Sequence, residues 1–189
     1  MARVQVVAYR DEWADRFGEL QDAYAAALRA SGTTPVAIEH VGSTAVPGLA
    51  AKPVIDVDVV VVAPDVDAAV RALSRIGFER SAGVGVPGRV ALVTPERFRP
   101  SNTYVVTDGS LALRNHLAVR DVLRADPALR DEYGAVKLRA AETAADIDAY
   151  LAAKDEVIDG ILRRAGLSDE DRAAIASANR AIAARGALG

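Results

Sequence analysis

The sequence predicts an α/β fold of the α+β kind, in which an α/β half is followed by an all-helical half. Three observations point there. Apolar residues at three- to four-residue steps mark an amphipathic helix near the start, β-branched runs punctuated by Gly and Pro mark strands between about residues 36 and 106, and beyond Ser110 every pattern is helical.

The elements follow in order. In 11–30, Trp13, Phe17, Leu20, Tyr24 and Leu28 fall on one helical face, with Asp11 placed as an N-cap and Gly32 just past the end. Residues 36–41 read as a short strand, and 42–53 as a loop rich in Gly, Ser, Thr and Pro that carries Lys52. The β-branched run 54–62 reads as a long, mostly buried strand stopped by Pro64, which suits the first turn of a helix reaching 76 and closed by Gly77. The segment 81–88 has three glycines and a proline and reads as a flexible loop beside a site, followed by short strands at 89–94 and 103–106. Helices are predicted at 111–125, 127–142, 146–165 and 168–185, with Asp126-Pro127, Asp146 and Ser168-Asp169-Glu170 as starts.

Composition narrows the class. A chain of 189 residues, 51% hydrophobic and 26% charged, is long enough for a sizeable core in one unit. A net charge of -3 supplies no general cationic field for phosphate backbones, so no duplex nucleic acid is expected. The chain has no cysteine, which excludes disulfides and thiolate zinc sites and leaves His40 and His116 as the nitrogen ligands. Hard, oxygen-bound cations are the default metal expectation. The first residues lack an apolar stretch of signal-peptide type, so a cytoplasmic location is expected. The most apolar stretch, 54–63, carries two aspartates and is about half of the roughly 20 residues a bilayer span requires, so no membrane span is expected. Three of the 23 basic residues are lysines, Lys52, Lys137 and Lys154, which singles them out as places needing a compact point charge.

The chemistry concentrates at two places. Alternation along a strand puts Asp56 and Asp58 on one face and Ile55, Val57 and Val59 on the other. Two adjacent half-buried carboxylates are costly unless a cation compensates, and Mg²⁺ held by one or two carboxylates plus phosphate oxygens does so. The plain structural reading is an edge strand whose polar side meets water. Twelve residues before Asp56 come Gly42-Ser43, where glycine allows close backbone approach and the hydroxyl and amide groups suit an anion. Gly-Ser alone is an ordinary turn, so the combination carries the information.

That combination resembles the signature of the DNA polymerase beta-like nucleotidyltransferase superfamily. More specifically, the stretch from Ile38-Glu39-His40-Val41-Gly42-Ser43 through Lys52-Pro53-Val54-Ile55-Asp56-Val57-Asp58 is similar to the GrpB family, as are Val119-Arg120-Asp121-Val122-Leu123-Arg124 and the pairs Tyr133/Lys137 and Tyr150/Lys154. The resemblance covers about 6–165. It implies a nucleotidyltransferase-like mixed sheet with flanking helices and a C-terminal helical subdomain. It further implies that Gly42 and Ser43 touch nucleotide phosphates, and that Asp56 and Asp58 hold Mg²⁺ while an attacking hydroxyl displaces pyrophosphate in line. In some bacteria a similar domain is fused to dephospho-coenzyme A kinase. Active members of the superfamily carry a third carboxylate on a later strand, where this chain offers Asn102 and Tyr104, neither of them a base at neutral pH.

The remaining candidates are phosphate-binding or plainly structural. His40, two residues before Gly42, reads either as a ligand contact or as a satisfied strand residue, and Lys52, four before Asp56, either as a charge offsetting phosphates or as a solvated loop lysine. Arg120 and Asp121 point about 100° apart on a helix, which argues for separate partners. Tyr133/Lys137 and Tyr150/Lys154 stand at i, i+4, where each ring supports a lysine stem; Lys137 and Lys154 either pack there or reach phosphates. His116 reads as a partly buried packing residue. Residues 1–167 form a GrpB-like unit, with 1–109 its α/β half and 110–167 its helical half. Residues 168–189 are an extra C-terminal helix for packing or for pairing as a homodimer. Three functions remain open: a nucleotidyltransferase, a non-catalytic module for a nucleotide or coenzyme A-related phosphate ligand, and a structural helper of a partner enzyme such as dephospho-coenzyme A kinase.

Overall fold

The computed structural model describes residues 5–82, 86–143 and 147–186, without the side chains of 142–155 and 182–186. The chain order is α1 (Glu12–Ala30), β1 (Ala37–Val41), β2 (Ile55–Val61), α2 (Val66–Ser74), β3 (Glu79–Arg80), β4 (Arg89–Val93), β5 (Ser101–Thr107), α3 (Leu111–Ala125), α4 (Pro127–Thr143), α5 (Ile147–Arg164) and α6 (Asp169–Gly186). One mixed sheet runs β1-β2-β5-β4-β3. Its central pair, β2 and β5, is parallel, and the remaining pairs are antiparallel.

Each face of β2 packs against different helices, as a two-residue side-chain period requires. Ile55, Val57, Val59 and Val61 are buried with Val105 against Trp13, Leu20, Tyr24 and Leu28 of α1 and Val70 and Leu73 of α2. On the opposite face Val60 and Val106 pack against Ala112 and Leu113 of α3. Burying side chains of this size stabilises by about 1.5–3 kcal/mol each before entropy is counted.

The loop of 42–53 differs from a free surface loop. Val46 and Leu49 are buried with Leu123, Leu129, Tyr133 and Ile161, so the loop is the seam between sheet and helical half. Its first turn, Ser43–Ala45, is 3-10 helical. Two local expectations need correction. Asp11 has helical dihedrals and makes no side-chain cap, because the first helical bonds run from Trp13 and Ala14 to Arg10 and Asp11 carbonyls. The two-residue β3 was not anticipated, being too short to show a period.

Helix α6 is seated by charge. Arg114 of α3 grips Asp171 through both terminal nitrogens, at 2.9 and 3.1 Å, and Arg172 reaches Asp159 of α5 at 2.9 Å. Among the described residues no helix is long and apolar enough to cross a membrane.

Candidate functional site

Strand register builds a polar patch on the α3 side of the sheet. Asp56 lies beside Asn102 and Asp58 beside Tyr104 on the parallel neighbour β5, while Glu39 of β1 flanks Asp58 from the other side. Directly opposed residues share a face, so Glu39, Asp56, Asp58, Asn102 and Tyr104 all project the same way.

Asp56 is half-buried, and its Oδ1 accepts from the Asn102 amide at 2.8 Å. Gly42 has φ 70° and ψ -169°, a region essentially reserved for glycine. A β-carbon at Gly42 would overlap the Asp56 carboxylate, so the Gly42-Ser43 turn lies directly against this acid.

Asp58 has no exposed surface. Its Oδ2 accepts from His116 Nδ1 at 2.7 Å, and its Oδ1 is buried without a hydrogen-bond partner among the described residues. His116 was expected only to pack, and that reading is corrected: the acid and the imidazole lie 58 positions apart, a pairing that no local spacing announces. The far nitrogen, Nε2, stands 3.5 Å from Arg89 Nη1, and the Arg89 guanidinium lies 4.5 Å above the Tyr104 ring. Burial, with Asp56 adding to it, pushes the Tyr104 phenol up to about 12, so it stays protonated at neutral pH.

Three residues one turn apart on α3 face this patch. His116 holds Asp58; Arg120 donates through Nη1 to Glu39 at 2.6 Å and to the His40 carbonyl at 3.1 Å; Arg124 donates twice to the Ala45 carbonyl, at 2.9 and 2.7 Å. Arg120 also pairs with Asp121, Nε to Oδ1 at 2.7 Å. The expectation that these adjacent residues would find separate partners is therefore corrected, because the long guanidinium folds back along the helix while its far nitrogen reaches β1. The helical half grips the loop at two further points. Arg130 donates to the Pro47 carbonyl at 3.3 Å, and Lys137 to the Ala50 carbonyl at 2.6 Å.

Lys137 was a phosphate-binding candidate. It is 2% exposed, its ammonium points into the loop, and the Tyr133 ring lies 5.4 Å away. The i, i+4 spacing correctly puts Tyr133 and Lys137 on one face, but that face meets protein. His40 is likewise directed elsewhere. It pairs in register with Val57, so its ring projects to the α1 side, away from both carboxylates, and stacks on Phe17 at 4.7 Å. His40 Nε2 lies 3.0 Å from the Thr44 hydroxyl, which donates its own hydrogen to the Val54 carbonyl; the proton between them therefore sits on His40. Burial, reinforced by Arg124 and Arg120, lowers the imidazole to about 4 and keeps it neutral. Ser43 is half-buried at the turn, and Lys52 is exposed at the approach to β2. The Lys154 side chain lies outside the described residues. Among the described residues no three His, Asp or Glu side chains form a metal-binding group.

The mixed sheet, with two carboxylates on β2 beside the Gly42-Ser43 turn, has the nucleotidyltransferase fold. The same fold occurs in Cid1 poly(U) polymerase with bound MgGTP (TM-score 0.51, 17% identity, 70% of this chain and 43% of that one). It occurs again in the GLD-2/RNP-8 complex (TM-score 0.52, 16% identity, 69% and 44%). The chain belongs to the GrpB family, whose model, described as GrpB protein, matches residues 3–164. The crystal structure of conserved protein GrpB from Enterococcus faecalis superposes with a TM-score of 0.73 at 34% identity, over 85% of this chain and 96% of that one. Among sequence relatives, the UPF0157 protein YqkA of Bacillus subtilis is 30% identical over 82% of this chain and 45% of its own length. A UPF0157 protein of Streptomyces coelicolor is 40% identical over 69% of each. A dephospho-CoA kinase of Mycolicibacterium paratuberculosis is 35% identical over 72% of this chain and 40% of its own length. The chain thus spans less than half of YqkA and of that kinase. Helix α6 lies beyond the stretch that the family model matches.

Proposed function

We propose that the chain is a magnesium-dependent, nucleotidyltransferase-like protein that binds a nucleoside triphosphate, with the phosphates at Gly42-Ser43 and the cation between Asp56 and Asp58. The observation that supports this best is the packing of Gly42 on the Asp56 carboxylate, with the Oδ1 of Asp58, which has no hydrogen-bond partner among the described residues, next along the same face. Mg²⁺ takes one or two protein carboxylates and completes its shell with phosphate and water oxygens, so this donor set fits it. Bound there, the cation would offset charge on the phosphates and on a leaving pyrophosphate.

The remaining roles fall to the chain. Gly42 lets a phosphate approach the backbone, the Ser43 hydroxyl donates to it, and Lys52 adds positive charge from the rim. Arg120, Arg124, Lys137 and His40 hold the end of β1 and the loop in place. In nucleotidyl transfer an acceptor hydroxyl would attack the α-phosphorus in line, the bond to the bridging oxygen of the β-phosphate would break, and the hydroxyl proton would pass to a base.

A second reading, binding without turnover of a nucleotide or coenzyme A-related phosphate ligand, is favoured by Asn102. That neutral amide stands beside Asp56 where a third carboxylate would serve, and the similarity to a dephospho-CoA kinase is compatible with it. Calorimetry with ATP, GTP, CTP and UTP, with and without Mg²⁺, followed by an assay for pyrophosphate, tests both. Binding that requires Mg²⁺ and disappears in Asp56→Asn supports a metal-nucleotide site. Pyrophosphate release selects the transferase, and no binding of any nucleotide or, in a parallel titration, of dephospho-coenzyme A or coenzyme A removes both readings.

A further inference from the structure

Helix α6 begins after the stretch that the family model matches, and it follows α5 by a short turn in which Gly166 has φ 80°. Among the described residues its ion pairs all lie in its first turn, beside that joint. Asp171 is held by Arg114 of α3, and Arg172 by Asp159 of α5 and by Asp169. Arg172 also donates to the Leu167 carbonyl at 3.3 Å, within the joint itself. Past the first turn no charge holds the helix, and among its described side chains, which end at residue 181, Ile175 is the one that is buried.

Beneath that outer part of α6 the packing is incomplete. A cleft of about 160 Å³ separates Ala174, Ile175 and Asn179 of α6 from Ala112 and His116 of α3 and Arg89 of β4. Native interiors leave few gaps of this size, and an isolated helix of this length is marginal in water, so α6 depends on contacts that it makes sparingly. Segments with few buried apolar contacts open without global unfolding. We propose that α6 is a lid hinged at its first turn. The Arg114–Asp171 and Arg172–Asp159 pairs keep the hinge end seated, while the Ile175 end swings off α3 and reseats. Closed, it covers the cleft that His116 lines; open, it gives solvent and small solutes access to the imidazole that holds Asp58.

The inference goes beyond the triphosphate reading and needs neither nucleotide nor cation. The chain has no cysteine, so a single introduced thiol reports the motion without interference. Ala112→Cys places that thiol in the cleft wall, and Ala69→Cys places it on α2 in the core across the sheet; both alanines are buried. Each full-length variant is reacted with the bulky aromatic disulfide DTNB in native buffer. The Ala112→Cys thiol is expected to react at least roughly a hundredfold faster than the Ala69→Cys thiol, because one waits on the lid and the other on global unfolding. Adding Ile175→Ala should speed the first at least roughly tenfold and leave the second unchanged, with Ile175→Val giving a smaller acceleration in the same sense. Equal rates at the two positions, or acceleration of both by the Ile175 variants, would mean that α6 leaves only with the whole fold, and overturns the proposal. Reaction of Ala112→Cys as fast as a free thiol, indifferent to Ile175, would mean that nothing closes the cleft, and overturns it equally.

Discussion

His116 Nδ1 stands 2.7 Å from Asp58 Oδ2 and ties α3 to the middle of the sheet on the face that carries both strand aspartates. The acid has no exposed surface, so the imidazole replaces hydration that burial has removed. The same contact orients His116 toward Arg89 and Tyr104, which makes it the hinge between the candidate cation site and the cleft under α6.

Removal of that imidazole is expected to be expensive. His116→Ala should destabilise the fold by about 3 kcal/mol, since a buried carboxylate is left without its donor. Urea denaturation measures this, and a loss below about 1 kcal/mol would show that Asp58 finds another partner.

Gly42→Ala should cost about 2 kcal/mol or more, from the strained backbone region and from displacement of the Asp56 carboxylate. If the turn and the acid share one phosphate-metal site, the same variant should weaken Mg²⁺-nucleotide binding at least roughly tenfold, a change of about 1.4 kcal/mol. Nucleotide affinity equal to wild type in calorimetry, with the stability loss present, would separate the turn from the ligand.

A histidine whose pKa falls to about 4 on folding, from 6.5, binds its proton more readily in the unfolded chain. Stability should therefore be complete above pH 6.5, fall as the pH drops toward 4, and level off below it as far as this group is concerned. The contribution is on the order of 3 kcal/mol. In His40→Gln the slope of stability against pH across that window should flatten, whatever the variant's absolute stability; an unchanged slope would assign the acid sensitivity to the carboxylates.

Lys137→Met keeps most of the side-chain volume and removes the donor to the buried Ala50 carbonyl. A loss of about 1–3 kcal/mol in chemical denaturation is expected. Full stability together with lost nucleotide affinity would return Lys137 to the phosphate-binding role that its spacing suggested.

Asn102→Asp places a third carboxylate beside Asp56 and removes the amide that Asp56 now accepts from. Without Mg²⁺ the variant should be less stable by about 1 kcal/mol, and its Mg²⁺ affinity should rise roughly tenfold, because clustered acids are relieved by a cation. Thermal unfolding across a Mg²⁺ series checks both, and identical metal dependence in variant and wild type would argue against a cation at Asp56.

Periods of two and 3.6 residues made much of this molecule legible in one dimension. Alternation alone put Asp56 and Asp58 on one face of β2 and Ile55, Val57 and Val59 on the other, in the core, and helical spacing found the buried face of α1 from Trp13 to Leu28. The glycine at 42 was legible as a point of close approach, although the group it approaches was not. His40 shows the limit of proximity in sequence: its neighbours are the Gly42-Ser43 turn, but its parity sends it to the opposite side of the sheet.

The sequence by itself therefore determined the helices, every strand but the two-residue β3, and which side chains share a face, because those follow from backbone geometry that each segment carries within itself. Only the tertiary structure decided which faces meet. That Asn102 stands beside Asp56, that His116 holds Asp58, that Lys137 closes on Ala50, and that α6 walls a cleft beside Arg89 all depend on register and packing between segments 46 to 87 residues apart, or on a docked helix. Such pairings arise from burial and shape summed over the whole core, a quantity that no local pattern contains.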